Sequence, residues 1–278
     1  MRIRDWLRYA AARLAQRGRD SPHLTAECIL AHALRARRID IILHPDERVS
    51  SETQKELARF LALRLEGLPL AYITGEKEFY GIPLQVTVDT LIPRPDTECL
   101  VEQVIADHKG KNPLFADLGT GSGAIGIALA ANIEGATGLL IDKSERALAC
   151  AKRNILRSNL TERLICLAGT FAELPIKERS LDIVVANPPY IAIGEYVMDE
   201  VVRFEPHTAL FAENEGLAAI YQVIDQAARL LKSGGALYIE HGATQGEKVR
   251  AYMAQKFFSV KTKKDLAGRE RMSYCLFR

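Results

Sequence analysis

The sequence predicts an α/β fold, with a parallel sheet covered by helices on both faces and a small helical bundle before it. From residue 96 onward, short apolar runs alternate with segments of helical periodicity. A glycine-rich loop follows the first apolar run and opens a helix, whereas residues 1–66 show helical spacing alone. The alternation favours a parallel sheet because parallel strands need crossover connections, which are usually helices.

The first 66 residues are predicted to form four or five helices. Trp6, Ala10 and Leu14 recur at helical spacing, which places them on one face. Pro22 follows a serine and suits the first position of a second helix, and Gly67 is the residue type that commonly ends one. We therefore expect a compact bundle at the N-terminus.

The pattern changes between residues 76 and 95. Residues 79–84 and 85–88 predict a short hairpin, and the proline-rich residues 91–95 predict an extended connector. The strands that follow are predicted at 114–118, 138–142, 164–167, 181–185, 235–240, 258–261 and 273–277. The helices are predicted at about 97–108, 122–132, 144–158, 216–231 and 244–256. The predicted domains are a bundle at 1–75, a hairpin with its connector at 76–95, and a sheet domain at 96–278.

The composition indicates a folded chain whose net charge is small but unevenly distributed. A hydrophobic content of 48% in 278 residues supports a sizeable core, and a net charge of +2 does not by itself argue for nucleic acid. The charge is unevenly spread, however, because residues 1–38 hold nine arginines against three acidic residues. That surplus indicates either solvated helix faces or a docking face for an acidic partner, such as RNA or an RNA-bound protein.

Cysteine and histidine usage predicts no metal site and no disulfide framework. The five cysteines are scattered without a C-x-x-C pair, and the six histidines lack metal-ligand spacing. The first residues lack the apolar core of a signal peptide, and no run approaches the roughly 18 apolar residues of a membrane span. We expect a cytoplasmic protein with reduced thiols.

The most informative segment is the Asn-Pro-Pro-Tyr turn at 187–190, directly after the apolar run 181–185. Two successive prolines end the strand and fix the backbone, so the Asn187 amide and the neighbouring carbonyls are held rigidly. A planar –NH2 group could donate both hydrogens to such acceptors while Tyr190 stacks on its face. The turn suits chemistry on an amide or amino-purine nitrogen; the alternative is a plain strand-ending turn.

The glycine loop at 117–123 admits two ligands. Residues 121–126 satisfy G-x-G-x-x-G, and Asp142 ends the next strand, which is compatible with a dinucleotide. Asp117 would repel a pyrophosphate but suits a cationic ligand. S-adenosylmethionine carries an ammonium, a sulfonium and a ribose diol. Asp117 would lie near the cationic end, and Asp142 would bind the diol. The candidate loop residues are Gly119, Thr120, Gly121, Ser122 and Gly123.

Together these features resemble the methyltransferases that carry an Asn-Pro-Pro-Tyr turn, and more specifically the peptide chain release factor N5-glutamine methyltransferases. The resemblance covers nearly the whole chain. It is carried by residues 69–75, 91–98, 117–123, 142, 187–190, 204–206, 240–242 and 265–268. The turn alone is shared with DNA and RNA amino-methyltransferases, whereas Leu-Ile-Pro-Arg-Pro-Asp-Thr-Glu at 91–98 is far more specific.

The resemblance implies a Rossmann-like class I methyltransferase sheet and S-adenosylmethionine as methyl donor, held by the glycine loop and Asp142. It implies that Asn187 and the Pro188 carbonyl, with Pro189 and Tyr190, bind the glutamine of the Gly-Gly-Gln motif of class I release factors. The bundle would recognise the release factor, and the enzyme would be a monomer with no requirement for nucleic acid or membrane.

Adenine recognition departs from the family pattern. Many relatives have an acidic residue after the third strand, where this chain has Gly169. Gly169 cannot accept a hydrogen bond through a side chain, so Thr170 and Phe171 are the candidate cofactor contacts, with Phe171 either an adenine wall or plain core.

Three other functions stay open at this stage: a nucleic-acid adenine methyltransferase, which would want a basic groove; a nicotinamide oxidoreductase, which Asp117 disfavours; and a non-enzymatic release factor binder. Four charged residues could form buried ion pairs near the site or surface pairs: Arg94, Glu98, Glu205 and Glu240. His241 is expected to be a satisfied strand-end histidine rather than a catalytic one.

Overall fold

The computed structural model describes residues 1–265 and 267–277. These residues form two compact units. The first comprises residues 1–76 together with 199–204. The second comprises residues 77–198 and the rest of the described chain from residue 205.

The first unit is helical. Within residues 1–76 its five helices are Ile3–Gln16, Pro22–Leu34, Arg38–Leu43, Ser51–Glu66 and Leu70–Thr74. The Ser50 side chain caps the fourth helix by accepting a hydrogen bond from the backbone N–H of Thr53 at 3.1 Å. Trp6 and Leu14 are buried among the apolar residues of the other helices. The predicted number of helices is confirmed.

A short helix far along the chain, Asp199–Phe204, belongs to this first unit. Its Glu200 carboxylate forms ion pairs with Arg19 and with Arg64, the latter over 3.1 Å. The Arg64 side chain is only 9% exposed, so its charge depends on this partner. The Arg203 guanidinium also donates to the backbone carbonyl of Glu66 at 3.3 Å. No local feature of the sequence indicates this long-range arrangement.

The second unit contains a seven-stranded sheet in its described residues. Its strands are β1 (Leu114–Leu118), β2 (Thr137–Asp142), β3 (Leu164–Ala168), β4 (Leu181–Ala186), β5 (Leu231–Glu240), β6 (Phe257–Lys264) and β7 (Glu270–Phe277). The spatial order is β6-β7-β5-β4-β1-β2-β3. Strands β1 to β5 are parallel, but β7 pairs antiparallel with both β5 and β6.

The predicted parallel sheet is thus mostly parallel, with an antiparallel strand at one edge. The chain between β6 and β7 spans only residues 265–269, which is too short for a crossover, so the last two strands form a hairpin. The predicted bounds of β1 to β4 agree with the structure to within one residue at each end. Strand β5 begins at Leu231 rather than at 235, and β6 extends to Lys264.

Helices cover both faces of the sheet, as predicted. The helices Glu98–His108, Ala124–Asn132 and Glu145–Arg157 contribute to one apolar core, and Ala218–Leu230 and Gly246–Met253 contribute to the other. Alternate residues of the central strands enter the two cores: Phe115 belongs to the first and Ala116 to the second. Among the described residues, no helix is long and apolar enough to cross a membrane.

The hairpin lies slightly earlier in the chain than predicted. Its strands are Glu76–Phe79 and Ile82–Gln85, rather than 79–84 and 85–88. Tyr80 and Gly81 form the turn with φ of 51° and 74°. Two positive φ angles in succession are what a two-residue hairpin turn requires, and that requirement sets the register.

Candidate functional site

The glycine loop sits at the carboxyl ends of β1 and β2, where open α/β sheets bind ligands. The backbone N–H groups of Gly119 and Thr120 both donate to the carbonyl of Ile141, over 2.8 and 2.9 Å. Gly121 and Gly123 have φ of 55° and 87°. Glycine adopts these left-handed conformations without a steric cost, so the backbone path of the loop requires glycine at both positions.

Asp117 lies beneath this loop and organises it. Its Oδ2 atom accepts hydrogen bonds from the Thr120 hydroxyl at 2.6 Å and the Gly126 N–H at 3.0 Å. Its Oδ1 atom is buried and has no hydrogen-bond partner in the part of the chain that the structure describes. Burial raises the pKa of Asp117 to about 6, although the two hydrogen bonds lower it.

Asp142, at the end of β2, is held by backbone donors. Its Oδ2 atom accepts from the N–H of Gly121 and its Oδ1 atom from the N–H of Ser144, each at 2.9 Å. A carboxylate has about four acceptor sites, so capacity remains for further donors. The geometry fixes the carboxylate beside the glycine loop with acceptor capacity to spare.

Asp142 and two glycines of the loop border a cavity of about 740 Å³. That volume is within the range of small-molecule and cofactor sites. Seven predicted site residues line it: Gly119, Gly121, Asp142, Thr170, Phe171, Asn187 and Pro189. Six others lie outside the lining: Asp117, Thr120, Ser122, Gly123, Pro188 and Tyr190. The sequence analysis missed a further part of the wall, formed by residues 88–91 and 206–209.

Phe171 stands against the glycine loop. A Cβ atom built on Gly119 would lie 3.1 Å from the Phe171 ring, so this position has no comfortable room for a side chain. Gly169 and Thr170 continue the same wall. The use of Phe171 as an adenine wall stays a prediction.

The Asn-Pro-Pro-Tyr turn follows β4 and joins a buried network of hydrogen bonds. The Asn187 Nδ2 donates to the Thr97 hydroxyl at 3.1 Å. The Thr97 hydroxyl donates to Oε2 of Glu240 at 2.6 Å, and the Tyr190 hydroxyl donates to Oε1 of the same carboxylate at 3.2 Å. Because the amino group of Asn187 is engaged, its Oδ1 atom is the part of the amide left to accept a hydrogen.

Glu240 is only 1% exposed. Burial raises its pKa to about 7, against the opposing effects of Thr97, Tyr190 and the charge of Arg271. Burial and the nearby Glu240 carboxylate likewise raise the pKa of the Tyr190 hydroxyl. Sequence reasoning missed Thr97 and offered Glu240 only as an ion-pair candidate. Both lie in segments that carried the family resemblance, which was the available signal.

Among the other charged candidates, Arg94 and Glu205 form an ion pair, whereas Glu98 binds a backbone group. Arg94 pairs with Glu205 over 2.6 Å, and Glu205 also accepts from the backbone N–H of Ile92 at 3.1 Å, so this ion pair is partly buried and holds the connector. Glu98 instead accepts from the N–H of Tyr80 at 2.9 Å. Each pairing serves the structure around the site rather than its surface.

His241 is a buried strand-end histidine, as expected. Its Nε2 atom is 3.0 Å from the Ser273 hydroxyl, its Nδ1 atom is 2.9 Å from the Gly242 carbonyl, and burial lowers its pKa. Of the motif at 265–268, Asp265 pairs with Arg271 over 3.2 Å, and Leu266 lies outside the described residues. No cluster of three or more metal-ligating residues occurs in the described ranges.

The site fits a methyl donor better than a dinucleotide. The unpartnered oxygen of Asp117 and the spare acceptor sites of Asp142 put negative charge and acceptors where a pyrophosphate would be repelled. A cationic ligand with a diol matches them. A parallel sheet with this loop, an acid ending β2 and an Asn-Pro-Pro-Tyr turn ending β4 defines an S-adenosylmethionine-dependent methyltransferase.

Comparisons with known proteins identify one family within this class of methyltransferases. The model of the PrmC N-terminal domain matches residues 5–75, and that of the methyltransferase small domain matches residues 95–204. The release factor glutamine methyltransferase of Nitratidesulfovibrio vulgaris is 40% identical, over 98% of this chain and 94% of its own. Those of Salmonella typhimurium and Escherichia coli are 39% and 37% identical, each over 98% of both chains.

The chain belongs to the release factor glutamine methyltransferase family. The predicted fold class, enzyme class and methyl donor are thereby confirmed, and the nicotinamide oxidoreductase and the non-enzymatic binder are excluded. The roles of individual site residues stay predictions.

Proposed function

We propose that this enzyme methylates the side-chain amide nitrogen of the glutamine in the Gly-Gly-Gln motif of class I release factors. The observation that carries the proposal is the Asn187 amide. It lies on the wall of the same cavity as the glycine loop and Asp142, with its amino group bound to Thr97. An acceptor that faces a small cavity beside the donor site suits an –NH2 group.

S-adenosylmethionine, when bound, supplies an electrophilic methyl group on a sulfonium. Asp142 would accept hydrogen bonds from the ribose hydroxyls, and Gly119 and Gly121 leave room for close approach of the ligand. Thr170 and Phe171 would flank the adenine. Asp117, Thr120, Ser122 and Gly123 would act through the shape and charge of the loop.

The acceptor amide would be positioned by the turn. Asn187 Oδ1 and the Pro188 carbonyl would accept its two hydrogens, and Tyr190 would pack on its plane. Pro188 and Pro189 have no N–H, so the turn presents acceptors without competing donors. An amide nitrogen is a poor nucleophile because its lone pair is delocalised. Positioning and electrostatics therefore carry the catalysis, and the proton leaves after the nitrogen becomes cationic.

The N-terminal bundle, residues 1–75, would recognise the body of the release factor, with 76–95 as hairpin and connector and 96–278 as the catalytic domain. Eight of the nine arginines among residues 1–38 are exposed, which supports a docking role for this surface. Four of them form ion pairs, with Asp46, Asp40 or Glu27. Arg8, Arg17 and Arg35 have no ion pair within the described residues and would provide the available positive charge. We expect a cytoplasmic monomer that needs no nucleic acid.

Peptide mass mapping tests the proposed acceptor. A class I release factor is incubated with the enzyme and a deuterium-labelled methyl donor, in parallel with tRNA and duplex DNA. The label should appear on the Gly-Gly-Gln peptide alone. A release factor in which that glutamine is replaced by asparagine is the control and should stay unlabelled. Label on nucleic acid, or on release factor peptides outside the motif, would refute the proposed acceptor.

A further inference from the structure

The hydroxyl group of Thr97 lies between two groups that could each compete for its single proton. Its oxygen is 2.6 Å from Oε2 of Glu240 and 3.1 Å from Nδ2 of Asn187. Thr97 is 4% exposed and Glu240 is 1% exposed, so bulk water does not substitute for either partner. A hydroxyl donates one hydrogen bond and accepts others, so the direction of one bond fixes the direction of the next.

An ionised Glu240 makes this direction unambiguous, because a carboxylate only accepts. The Thr97 proton must then point at Glu240, and the Thr97 lone pairs face Asn187. Only the amino end of the Asn187 amide can bind those lone pairs. The carbonyl oxygen of Asn187 is consequently turned away from Thr97 and is left for a ligand.

We propose that Thr97 and Glu240 are positioning residues that set the amide orientation of Asn187, so that the site accepts hydrogens from a substrate –NH2 group rather than donating to it. This inference rests on the proposed function, because it assumes that Asn187 binds the glutamine amide. The chain from carboxylate to hydroxyl to amide joins three segments that are far apart in sequence, at residues 97, 187 and 240.

The same carboxylate orients the other side of the turn. Oε1 of Glu240 accepts from the Tyr190 hydroxyl at 3.2 Å, which fixes the ring proposed to pack on the substrate amide. Tyr190 and Cys99 are the other titratable groups that face Glu240, and Arg271 and Asp96 are the charged ones. Arg271 is itself paired with Asp96 at 3.3 Å and with Asp265 at 3.2 Å.

Protonation of Glu240 would reverse the polarity of this chain. A protonated carboxyl can donate to Thr97, which frees the threonine proton for the Asn187 carbonyl and turns the amide around. Burial raises the pKa of Glu240 to about 7. Turnover by the wild-type enzyme is therefore expected to rise with pH between about 6 and 8, as this carboxyl ionises.

Thr97→Val and Thr97→Ser test the positioning role. Valine removes the hydroxyl at nearly constant volume, and kcat should fall about 10²-fold, the range for loss of one preorganised polar contact. The dissociation constant of S-adenosylmethionine and the KM for the release factor should change by less than about threefold, since neither rests on this hydroxyl. Serine keeps the hydroxyl and should restore kcat to within about fivefold of wild type. Ser273→Ala, at a buried hydroxyl in β7 that lies outside the proposed site, is the matched control and should leave kcat unchanged.

Glu240→Gln supplies the second variant, because it keeps the shape of the carboxylate but does not titrate. Its amide oxygen can still accept from Thr97 with a weaker, neutral hydrogen bond, so kcat at pH 8 should be about tenfold below wild type. Its kcat should be flat between pH 6 and 8.

Three results would overturn the inference: a folded Thr97→Val enzyme with near-normal kcat, a Thr97→Ser enzyme as poor as the valine variant, or a Glu240→Gln enzyme that keeps the rise with pH. The serine and glutamine variants decide the question if the valine variant fails to fold. Failure of the proposed function is distinguishable, because the wild-type enzyme itself would then leave the Gly-Gly-Gln peptide unlabelled.

Discussion

Replacement of Asp142 by alanine should weaken S-adenosylmethionine binding strongly. The carboxylate lines the cavity and is held in place by the N–H groups of Gly121 and Ser144 at 2.9 Å. Its remaining acceptor sites would bind the two ribose hydroxyls. Hydrogen bonds to a charged group contribute roughly 1.5–3 kcal/mol. At 1.4 kcal/mol per factor of ten, the dissociation constant should rise roughly 10- to 150-fold.

Part of that loss in Asp142→Ala would come from the glycine loop, because alanine also removes the acceptor of the Gly121 N–H. Asp142→Asn separates the two effects, since an amide oxygen can replace one acceptor while the charge and the second acceptor are lost. We expect the asparagine variant to bind the donor at least about tenfold more weakly than wild type, and the alanine variant to be weaker still.

Isothermal titration calorimetry with S-adenosylmethionine measures both variants, with circular dichroism to establish that they fold. Asp182→Asn is the matched control. Asp182 also accepts a backbone N–H, that of Leu114 at 2.8 Å, but at the start of β1, the end of the strand opposite the glycine loop. Its substitution should leave donor affinity unchanged. Wild-type affinity in folded Asp142→Asn and Asp142→Ala proteins would remove Asp142 from the cofactor site.

Four further predictions concern Asn187, Glu200, Glu240 and the N-terminal bundle. Asn187→Ala should lower kcat by about 10²–10³-fold with donor affinity nearly intact, since the lost acceptor is proposed to bind the substrate rather than the donor; steady-state kinetics with calorimetry checks this, and near-normal turnover would contradict it. Glu200→Gln should lower the free energy of unfolding by about 1–2 kcal/mol in urea titrations, because it leaves the nearly buried Arg64 without its charged partner; an unchanged midpoint would show that the ion pair is not stabilising. Burial raises the pKa of Glu240 to about 7 from an ordinary value of 4.5, so the folded state binds this proton more tightly than the unfolded state does. Its contribution to stability is therefore largest below pH 4.5 and is lost as the pH rises towards 7; the stability of Glu240→Gln relative to wild type should increase from pH 5 to pH 7.5, and a constant difference would argue against the shift. A chain that lacks residues 1–75 should keep donor binding but methylate intact release factor more slowly, mainly through a higher KM. Added salt should slow the full-length enzyme more than the shortened one, because exposed charges are screened within about 10 Å at 0.1 M salt. Equal efficiency of a folded shortened enzyme would exclude the bundle as the recognition element.

The parts of the fold that could be predicted are those whose cause is local in sequence. Strands β1 and β4 are mostly apolar runs because both of their faces are buried, and Gly119 and Asn187-Pro188 directly follow their ends. The position of the hairpin was predicted wrongly because Tyr80 adopts a positive φ, which is uncommon for a non-glycine residue and is not indicated by the sequence. The antiparallel edge follows from the short connection at residues 265–269, and a pattern of alternating apolar runs does not by itself reveal strand direction.

The parts of the site that could not be predicted depend on long-range contacts. Thr97 meets Glu240 across 143 positions of the chain, and Arg64 meets Glu200 across 136. Neither pair has periodicity or a local motif of its own, because each forms only when distant elements pack together. The turn at 187–190 and the glycine loop could be found because their backbone chemistry is written into consecutive residues.

Asp117, Asp142 and Glu240 differ in burial, and that difference, rather than residue type, would set their roles. Asp117 and Glu240 are fully enclosed, so burial raises the pKa of each, to about 6 and about 7, and the hydrogen bonds that each accepts come from protein donors. Asp142 is partly exposed on the cavity wall and takes only two backbone donors. The enclosed acids can therefore shape a loop and orient an amide, whereas Asp142 retains acceptor sites on the cavity wall. Under the proposed function this division would serve a poor amide nucleophile, because the enclosed network would hold the acceptor turn rigid while the partly exposed carboxylate would hold the methyl donor.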